Sequence, residues 1–192
     1  MAIGASLGGI SALLAQGEAQ IKSEPPLFSA LVLVDVTPSV DLSGVARVQG
    51  FMSERAREGF ASIAEAADAV AKYLPHRPRP RSHEGLKKNL RLHPDGRWRW
   101  HWDPRFLEVP HRVKGGRMAA EAELKKAATG LKIPALLVRG GSSELVQESH
   151  AKEFLALAPH AEYADVTGAR HMVAGDRKDQ FSSAILAFFS RH

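Results

Sequence analysis

The chain has 192 residues, of which 44% are hydrophobic, and this length is sufficient to bury the core of one globular domain. It contains no cysteine, which excludes disulfides, thiol nucleophiles and cysteine-bound metals and fits the cytoplasmic location that we predict. No apolar run approaches the roughly eighteen residues of a transmembrane helix, so we expect no membrane partner.

The N-terminal segment MAIGASLGGISALLA contains a glycine-rich serine motif. Gly4-Ala5-Ser6-Leu7-Gly8 fits the pattern G-x-S-x-G, in which the serine occupies a strained turn between a strand and a helix. Small residues let strand and helix approach, and the helix N-terminus presents backbone N–H groups to developing negative charge. Two alternatives exist: an ordinary glycine turn, or a signal peptide, although no basic residues precede the apolar run.

Short apolar segments that alternate with helical patterns indicate an α/β fold. The predicted strands cover residues 31–35, 134–139 and 161–166. The predicted helices cover residues 8–17, 147–157 and 179–189. This alternation predicts a mostly parallel sheet with helices on both faces.

A long middle segment, residues 41–130, interrupts the alternation with helical patterns and few strand signals. We expect it to form a helical cap inserted into a core made of residues 1–40 and 131–192. Its clearest helix follows Ser62, which can cap the helix N-terminus with Glu65 three residues later. The other helices predicted in the cap cover residues 84–92 and 117–129.

The net charge of +5 is unevenly distributed, because arginine and lysine are concentrated between residues 77 and 117. Arginines alternate there with tryptophans in the segment RWRWHW, residues 97–102. Such a segment could bind nucleic acid by stacking bases and holding phosphates. Alternation at period two also puts the rings on one side of an extended, partly buried segment, and we favour this interpretation. We therefore predict no nucleic-acid partner.

Two residues able to complete a serine-based site follow the later strands. Glu144 lies just past the predicted strand 134–139, and His171 lies just past the next one. A carboxylate at the carboxyl end of a parallel strand can hold an imidazole in the tautomer that accepts a serine proton. Asp35, which ends the predicted strand 31–35, is the alternative acid; its structural role would be to cap the turn at Thr37-Pro38.

The segments GASLGG, LLVRGGSSELV and GARHMVAGD resemble the nucleophile elbow, acid loop and histidine loop of the α/β-hydrolase superfamily. The branch it most resembles contains epoxide-hydrolase-like enzymes and cofactor-free haloperoxidase-like esterases, and WRWHWDPRF is similar to part of their cap. The resemblance implies Ser6 as nucleophile, Glu144 as acid, His171 as base, the backbone N–H of Leu7 in the oxyanion hole, and no cofactor. Two departures matter: the usual acid is aspartate, and epoxide hydrolases carry an aspartate nucleophile where this chain has Ser6.

Superfamily members have further strands ahead of the nucleophile elbow, whereas Ser6 is the sixth residue here. We therefore expect the chain to be the C-terminal half of such a fold, with one oxyanion donor missing and an exposed sheet edge through which it self-associates. The alternative function is a truncated, catalytically impaired or inactive fragment. Expressed alone, it should be poorly soluble or oligomeric and show little esterase activity.

The predicted reaction is hydrolysis of an ester-like substrate through an acyl-enzyme, and the resemblance also allows a perhydrolase, haloperoxidase-like side activity. We expect an apolar small-molecule ester, because Trp100, His101 and Trp102 offer an aromatic lining for a substrate pocket. His111 is a further candidate for that pocket. The other histidines lack metal-ligand spacing, so no metal site is predicted.

Overall fold

The computed structural model describes residues 1–105, 107 and 116–192. The chain forms two compact units, one made of residues 1–45 and 113–192 and the other of residues 46–112. Within the described ranges, no helix combines the length and apolar character needed to cross a membrane. His111 lies outside the described residues.

The strands are β1 (Ala2–Ala5), β2 (Leu31–Val34), β3 (Leu90–Leu92), β4 (Trp98–Trp100), β5 (Ala135–Gly140) and β6 (Glu162–Val166). The helices are α1 (Leu7–Ile21), α2 (Leu42–Ser53), α3 (Ile63–Tyr73), α4 (Gly116–Thr129), α5 (Glu148–Leu157), α6 (Val173–Asp176) and α7 (Lys178–Phe189). A 3₁₀ helix, Glu84–Asn89, precedes β3. The α/β class with a mainly parallel sheet is thus confirmed.

The first unit contains a parallel sheet with strand order β1-β2-β5-β6. Along β2, Leu31 and Leu33 belong to a core cluster with Leu13 of α1 and Phe154 of α5. The alternate residues of β2 belong to a second cluster, which also contains Phe188 of α7. Because successive side chains of a strand point to opposite faces, both faces of the sheet are covered, as the unbroken apolar run of this strand predicts.

Helix α4 belongs to this first unit rather than to the predicted insertion of residues 41–130. A Cβ added to Gly17 of α1 would lie 2.4 Å from Cβ of Ala127, so the two helices are in direct contact. Ala127 and Leu124 are part of the core cluster on that face of the sheet. Because α4 also carries many polar residues, its sequence gives little indication of this packing. The second unit, residues 46–112, is therefore shorter than the predicted insertion of residues 41–130.

The second unit contains an antiparallel hairpin that the sequence analysis did not predict. Strands β3 and β4 pair with Leu90 opposite Trp100, and Gly96 has a φ of 77° in the turn between them. The predicted helix over residues 84–92 is therefore right only for residues 84–89, which form the 3₁₀ helix, and wrong for residues 90–92, which form β3. The predicted cap of α3 is confirmed, because Ser62 Oγ accepts a hydrogen bond from Glu65 N at 3.1 Å.

The alternation of arginine and tryptophan in β4 separates the two residue types, as period two predicts. Trp98 and Trp100 pack against a cluster that includes buried Phe60. The guanidinium of Arg99 instead bonds to the carboxylate of Asp95 at 2.6 Å and to a backbone carbonyl. The hydrogen bonds and charge of this guanidinium hold the pKa of Asp95 well below its usual range.

Candidate active site

The sheet brings the sequence-predicted residues to one edge. Ala5, Val34 and Val138 are neighbours across β1, β2 and β5, so the residues that follow these strands meet at the carboxyl edge of the sheet. Ser6 follows β1 and Asp35 follows β2. In open parallel sheets this edge is where ligands bind.

Ser6 occupies a strained turn between β1 and α1. Its φ of 48° and ψ of −121° lie in a region that non-glycine residues rarely adopt. The turn is held by a hydrogen bond from Ser6 N to the carbonyl of Val34 at 3.3 Å. Leu7 is the first residue of α1, so its backbone N–H is one of the donors that the helix itself cannot satisfy.

Close contact between β1 and α1 explains two of the glycines around Ser6. A Cβ on Gly4 would lie 2.5 Å from Cα of Gly9, and a Cβ on Gly9 would lie 2.7 Å from the carbonyl oxygen of Gly4. A Cβ on Gly8 would meet nothing within 4 Å. The pair that permits the approach of strand and helix is therefore Gly4 and Gly9, whereas the last glycine of the G-x-S-x-G pattern has open space around it.

Replacing Gly4 with alanine is expected to destabilise the protein by about 1–3 kcal/mol, because the new methyl group would overlap backbone atoms of Gly9 that cannot move aside. The matched control is Gly8→Ala, which adds the same methyl group in open space within helix α1 and should be neutral or stabilising by up to about 1 kcal/mol. Urea denaturation of both variants checks the prediction. Equal stability of the two would contradict it.

The acid that contacts His171 is Asp35. Its Oδ2 lies 2.8 Å from Nδ1 of His171, which places the carboxylate on the ring nitrogen that faces away from a nucleophile in serine hydrolases. Asp35 is fully buried and the His171 side chain is 13% exposed. Like Ser6, Asp35 has a positive φ, 49°, at the end of its strand.

Glu144 does not take the position that the sequence analysis gave it. Within the described part of the chain, its Oε2 is buried without a hydrogen-bond partner, and its backbone carbonyl is packed against Gly44 of α2. Asp35 reaches His171 because it directly follows its strand, whereas Glu144 lies four residues beyond the end of β5. The geometry therefore favours the alternative acid, Asp35, over Glu144.

Two groups, one from the last residue of β5 and one from the loop after it, complete the surroundings of Asp35. Its Oδ1 accepts a hydrogen bond from the backbone N–H of Gly140 at 2.9 Å, and its Oδ2 accepts one from the hydroxyl of Ser143 at 2.6 Å. With His171 Nδ1, the carboxylate has three polar partners, which compensates for its complete burial. Ser143 was not singled out from the sequence, which contains no local signal that this hydroxyl is buried.

Arg139 stabilises the loop that carries Ser143 through hydrogen bonds. Its Nε donates to the carbonyl of Val146 at 2.7 Å and its Nη1 to Asp165 at 2.6 Å. Burial acts to lower the pKa of the Arg139 guanidinium, but interactions with Tyr163 and Asp165 outweigh that effect and raise the pKa. The guanidinium therefore stays charged and joins the loop to β6.

Backbone hydrogen bonds join this loop to the end of β6 and to the loop that carries His171. Gly141 N donates to the carbonyl of Val166 at 2.9 Å, and Ser142 N donates to that of Ala169 at 2.8 Å. A Cβ on Gly140 would lie 2.4 Å from the carbonyl oxygen of Arg170. The histidine loop is thus held directly against the loop that contacts Asp35.

Ser6 and Asp35 follow neighbouring strands, and Asp35 contacts His171. Among the described residues, however, no hydrogen bond joins Ser6 to His171. Hydrogen bonds of this kind are often long in a free enzyme and shorten only when substrate binds. A bond between Ser6 Oγ and His171 stays a prediction. No group of histidine and carboxylate side chains with metal-binding geometry occurs among the described residues.

The three residues predicted to line a substrate pocket lie in the second unit. Trp100 packs edge-on against Phe60 with ring centroids 5.4 Å apart, and its Nε1 is buried without a partner among the described residues. His101 is exposed and Trp102 is partly buried. Their role in binding substrate stays a prediction.

No protein-family model matches the chain. It is 32% identical over 163 residues to Esterase Rv0045c of Mycobacterium tuberculosis, a match that covers 82% of this chain and 49% of the esterase. It is 28% identical over 176 residues to the 3-hydroxybutyrate-oligomer hydrolase of Cupriavidus necator, covering 88% of this chain and 57% of that hydrolase. The chain thus spans about half the length of the curated relatives it matches.

Solved structures show the same likeness in three dimensions. The crystal structure of E-2-(acetamidomethylene)succinate hydrolase superposes with a TM-score of 0.79 at 21% identity, covering 98% of this chain and 65% of that one. The structure of the M. tuberculosis esterase superposes with a TM-score of 0.71 at 28% identity, covering 98% of this chain and 59% of the esterase. The first likeness is one of fold, and the second joins fold to a detectable sequence relationship.

Proposed function

Since the chain belongs to the α/β-hydrolase superfamily, we propose that it carries the catalytic site of a serine hydrolase that cleaves ester substrates. Ester cleavage is the activity in the name of the esterase relative, and oligomer hydrolysis is that of the other. The observation that carries the proposal is the buried contact of 2.8 Å between Asp35 and His171 at the sheet edge where Ser6 also lies.

In the proposed reaction, Ser6 Oγ attacks the ester carbonyl while His171 Nε2 takes the hydroxyl proton. The C–O bond of the ester then breaks, and His171 returns the proton to the leaving alcohol. Water attacks the resulting acyl-enzyme by the same route, which releases the acid and restores Ser6. No cofactor takes part in these steps.

Asp35 and Leu7 have supporting roles in this proposal. The Asp35 carboxylate orients the imidazole and stabilises the charge that it carries while protonated. The backbone N–H of Leu7, at the positive end of α1, donates to the oxygen that becomes negative in the tetrahedral intermediate. Both groups therefore interact with charge that develops during the reaction. Such interactions are stronger in the transition state than in the ground state, so they accelerate the reaction.

Labelling with a fluorophosphonate tests the proposed nucleophile directly. The reagent should modify Ser6 and leave the exposed Ser11 of the same helix unlabelled, which peptide mass spectrometry distinguishes. Short p-nitrophenyl esters should compete for labelling and be hydrolysed. Ester hydrolysis by a protein in which the fluorophosphonate does not modify Ser6 would exclude Ser6 as the nucleophile.

The perhydrolase side activity differs from hydrolysis only in the molecule that attacks the acyl-enzyme. Hydrogen peroxide in place of water would release a peracid, and this product oxidises halide ions. Parallel assays of p-nitrophenyl acetate with and without peroxide, with bromide oxidation as a second readout, distinguish the two activities. We expect an apolar ester in either case, in line with the proposed lining by Trp100, His101 and Trp102.

Self-association through β1 is the expected behaviour of the sheet edge. β1 is an edge strand of the described sheet, and Ile3 in it and Met1 just before it are about half exposed, at 49% and 50%. Exposed apolar edges pair with other chains, and a lysine on the edge opposes such pairing. We expect dimers or larger species in size-exclusion chromatography with light scattering, and a shift toward monomer in Ile3→Lys. Equal distributions for both proteins would exclude this edge as the contact.

A further inference from the structure

Ser143 approaches the Asp35–His171 pair from the loop after β5. It is 5% exposed, and its Oγ lies 2.6 Å from Asp35 Oδ2. The same oxygen accepts hydrogen bonds from the backbone N–H groups of Leu145 at 3.0 Å and Val146 at 3.1 Å. A serine hydroxyl has two lone pairs and one hydrogen. Because the backbone uses both lone pairs, the hydrogen is directed to Asp35.

This arrangement determines which nitrogen of His171 carries the proton. Gly140 N–H donates to Asp35 Oδ1 at 2.9 Å and the Ser143 hydroxyl donates to Oδ2, so both carboxylate oxygens act as acceptors. A carboxylate has only acceptor oxygens, so Nδ1 of His171, at 2.8 Å from Oδ2, is the donor of the third hydrogen bond. Nε2 of the neutral ring is left without a hydrogen, which is the state needed to accept a proton from Ser6.

We propose that Ser143 is a positioning residue that fixes the tautomer of His171 through Asp35. The inference rests on the proposed function and adds that the loop after β5 supplies the Ser143 hydroxyl as a hydrogen-bond donor to the acid. Without the Ser143 hydroxyl, Asp35 Oδ2 would lose a charge-assisted hydrogen bond in a fully buried site. The carboxylate could then rotate, and His171 would sample orientations in which Nε2 is not presented to the nucleophile.

Two substitutions separate this role from a structural one. Ser143→Ala removes the hydroxyl, whereas Ser143→Cys keeps a side chain of similar shape with an S–H that is a weak donor. The matched control is Ser142→Ala in the same loop, since Ser142 is exposed and its bond to Ala169 is made by the backbone. Circular dichroism verifies the fold of each variant, and the cysteine variant decides the outcome if the alanine variant does not fold.

The first measurement is the tautomer of His171 in the ¹⁵N-labelled 192-residue chain, with His171→Gln used to assign its ring signals. We expect Nδ1–H in the wild type and in Ser142→Ala, and a mixture containing Nε2–H in both Ser143 variants. The second measurement is p-nitrophenyl acetate hydrolysis. The kcat of the Ser143 variants should fall by about tenfold to a hundredfold, with KM changed by less than about twofold, because the lost interaction acts on the base and not on the ester.

The inference is overturned if both Ser143 variants keep the Nδ1–H signal and the kcat of Ser142→Ala. A shift of tautomer in a protein that lacks any Ser6-dependent hydrolysis has a different meaning: the positioning of His171 by Ser143 stands, and the proposed hydrolase function fails. The two ideas are therefore tested separately, since the spectrum of the resting protein does not depend on turnover.

Discussion

Replacing Ser6 with alanine is expected to remove the Ser6-dependent hydrolysis of p-nitrophenyl esters; in enzymes with a complete site, loss of the serine nucleophile lowers kcat by about 10⁴-fold to 10⁶-fold. The alanine side chain cannot form an acyl-enzyme, so the reaction loses its covalent route and keeps only the effects of binding and backbone donors. The strained backbone at this position, φ 48° and ψ −121°, accepts alanine no better than serine, and we expect stability to change little.

The control for this variant is Ser11→Ala, which removes an exposed serine from the same helix. Stopped-flow or endpoint release of p-nitrophenol measures both variants against the wild type. Retention of more than about a tenth of the wild-type kcat in Ser6→Ala would mean that another group attacks the ester. A fall in kcat of the same size in Ser11→Ala would indicate that the substitutions disturb helix α1, and that the effect of Ser6→Ala is not due to loss of the nucleophile.

The sequence predicts the sheet well because its strands are short, apolar and separated by helical patterns. The unbroken run from Leu31 to Val34 indicates a strand covered on both faces, and this is how β2 lies in the core. The serine motif likewise predicts the strained turn at Ser6, since the pattern encodes a close approach of strand and helix. These features follow from local sequence, so they could be found without a structure.

Features that depend on tertiary contacts could not be found in the same way. The attachment of α4 to α1 is determined by the contact of Gly17 with Ala127, two residues that are distant in sequence and unremarkable in composition. The β3–β4 hairpin does have a local signal, Asp95-Gly96 between alternating residues, which is typical of hairpin turns. The basic and aromatic composition around it obscured that signal.

The choice of acid shows where sequence order stops being informative. Asp35 and Glu144 both follow predicted strands, and either carboxylate has the chemistry to orient a histidine. The two acids differ in their distance from the end of the preceding strand. The loop after β5 leaves Glu144 without a hydrogen bond to His171 among the described residues and places the hydroxyl of Ser143 against Asp35. This loop conformation depends on the buried Arg139 and on backbone bonds to the histidine loop, none of which local sequence encodes.

Replacing Asp35 with asparagine is expected to lower kcat by about 10⁴-fold, whereas Glu144→Gln should change it by less than a few-fold. The reason is the direction of the hydrogen bonds around residue 35. Gly140 N–H and the Ser143 hydroxyl both donate to the carboxylate, so an amide must turn its NH₂ group toward a donor on one side. If the NH₂ group faces His171, Nδ1 becomes the acceptor and the proton moves to Nε2, which can then no longer take the proton of Ser6.

The paired substitutions at Asp35 and Glu144 are isosteric changes of a carboxylate to an amide, so they differ only in which acid is removed. Steady-state assays of p-nitrophenyl acetate hydrolysis, with denaturation curves for both variants, separate catalytic from structural loss. A large loss in Glu144→Gln with near-normal turnover in Asp35→Asn would restore Glu144 as the acid. Because the Oε2 of Glu144 is buried without a partner in the described residues, removing its charge should leave the protein as stable as before or more stable, which is the opposite of what we expect when the three hydrogen bonds of Asp35 are disturbed.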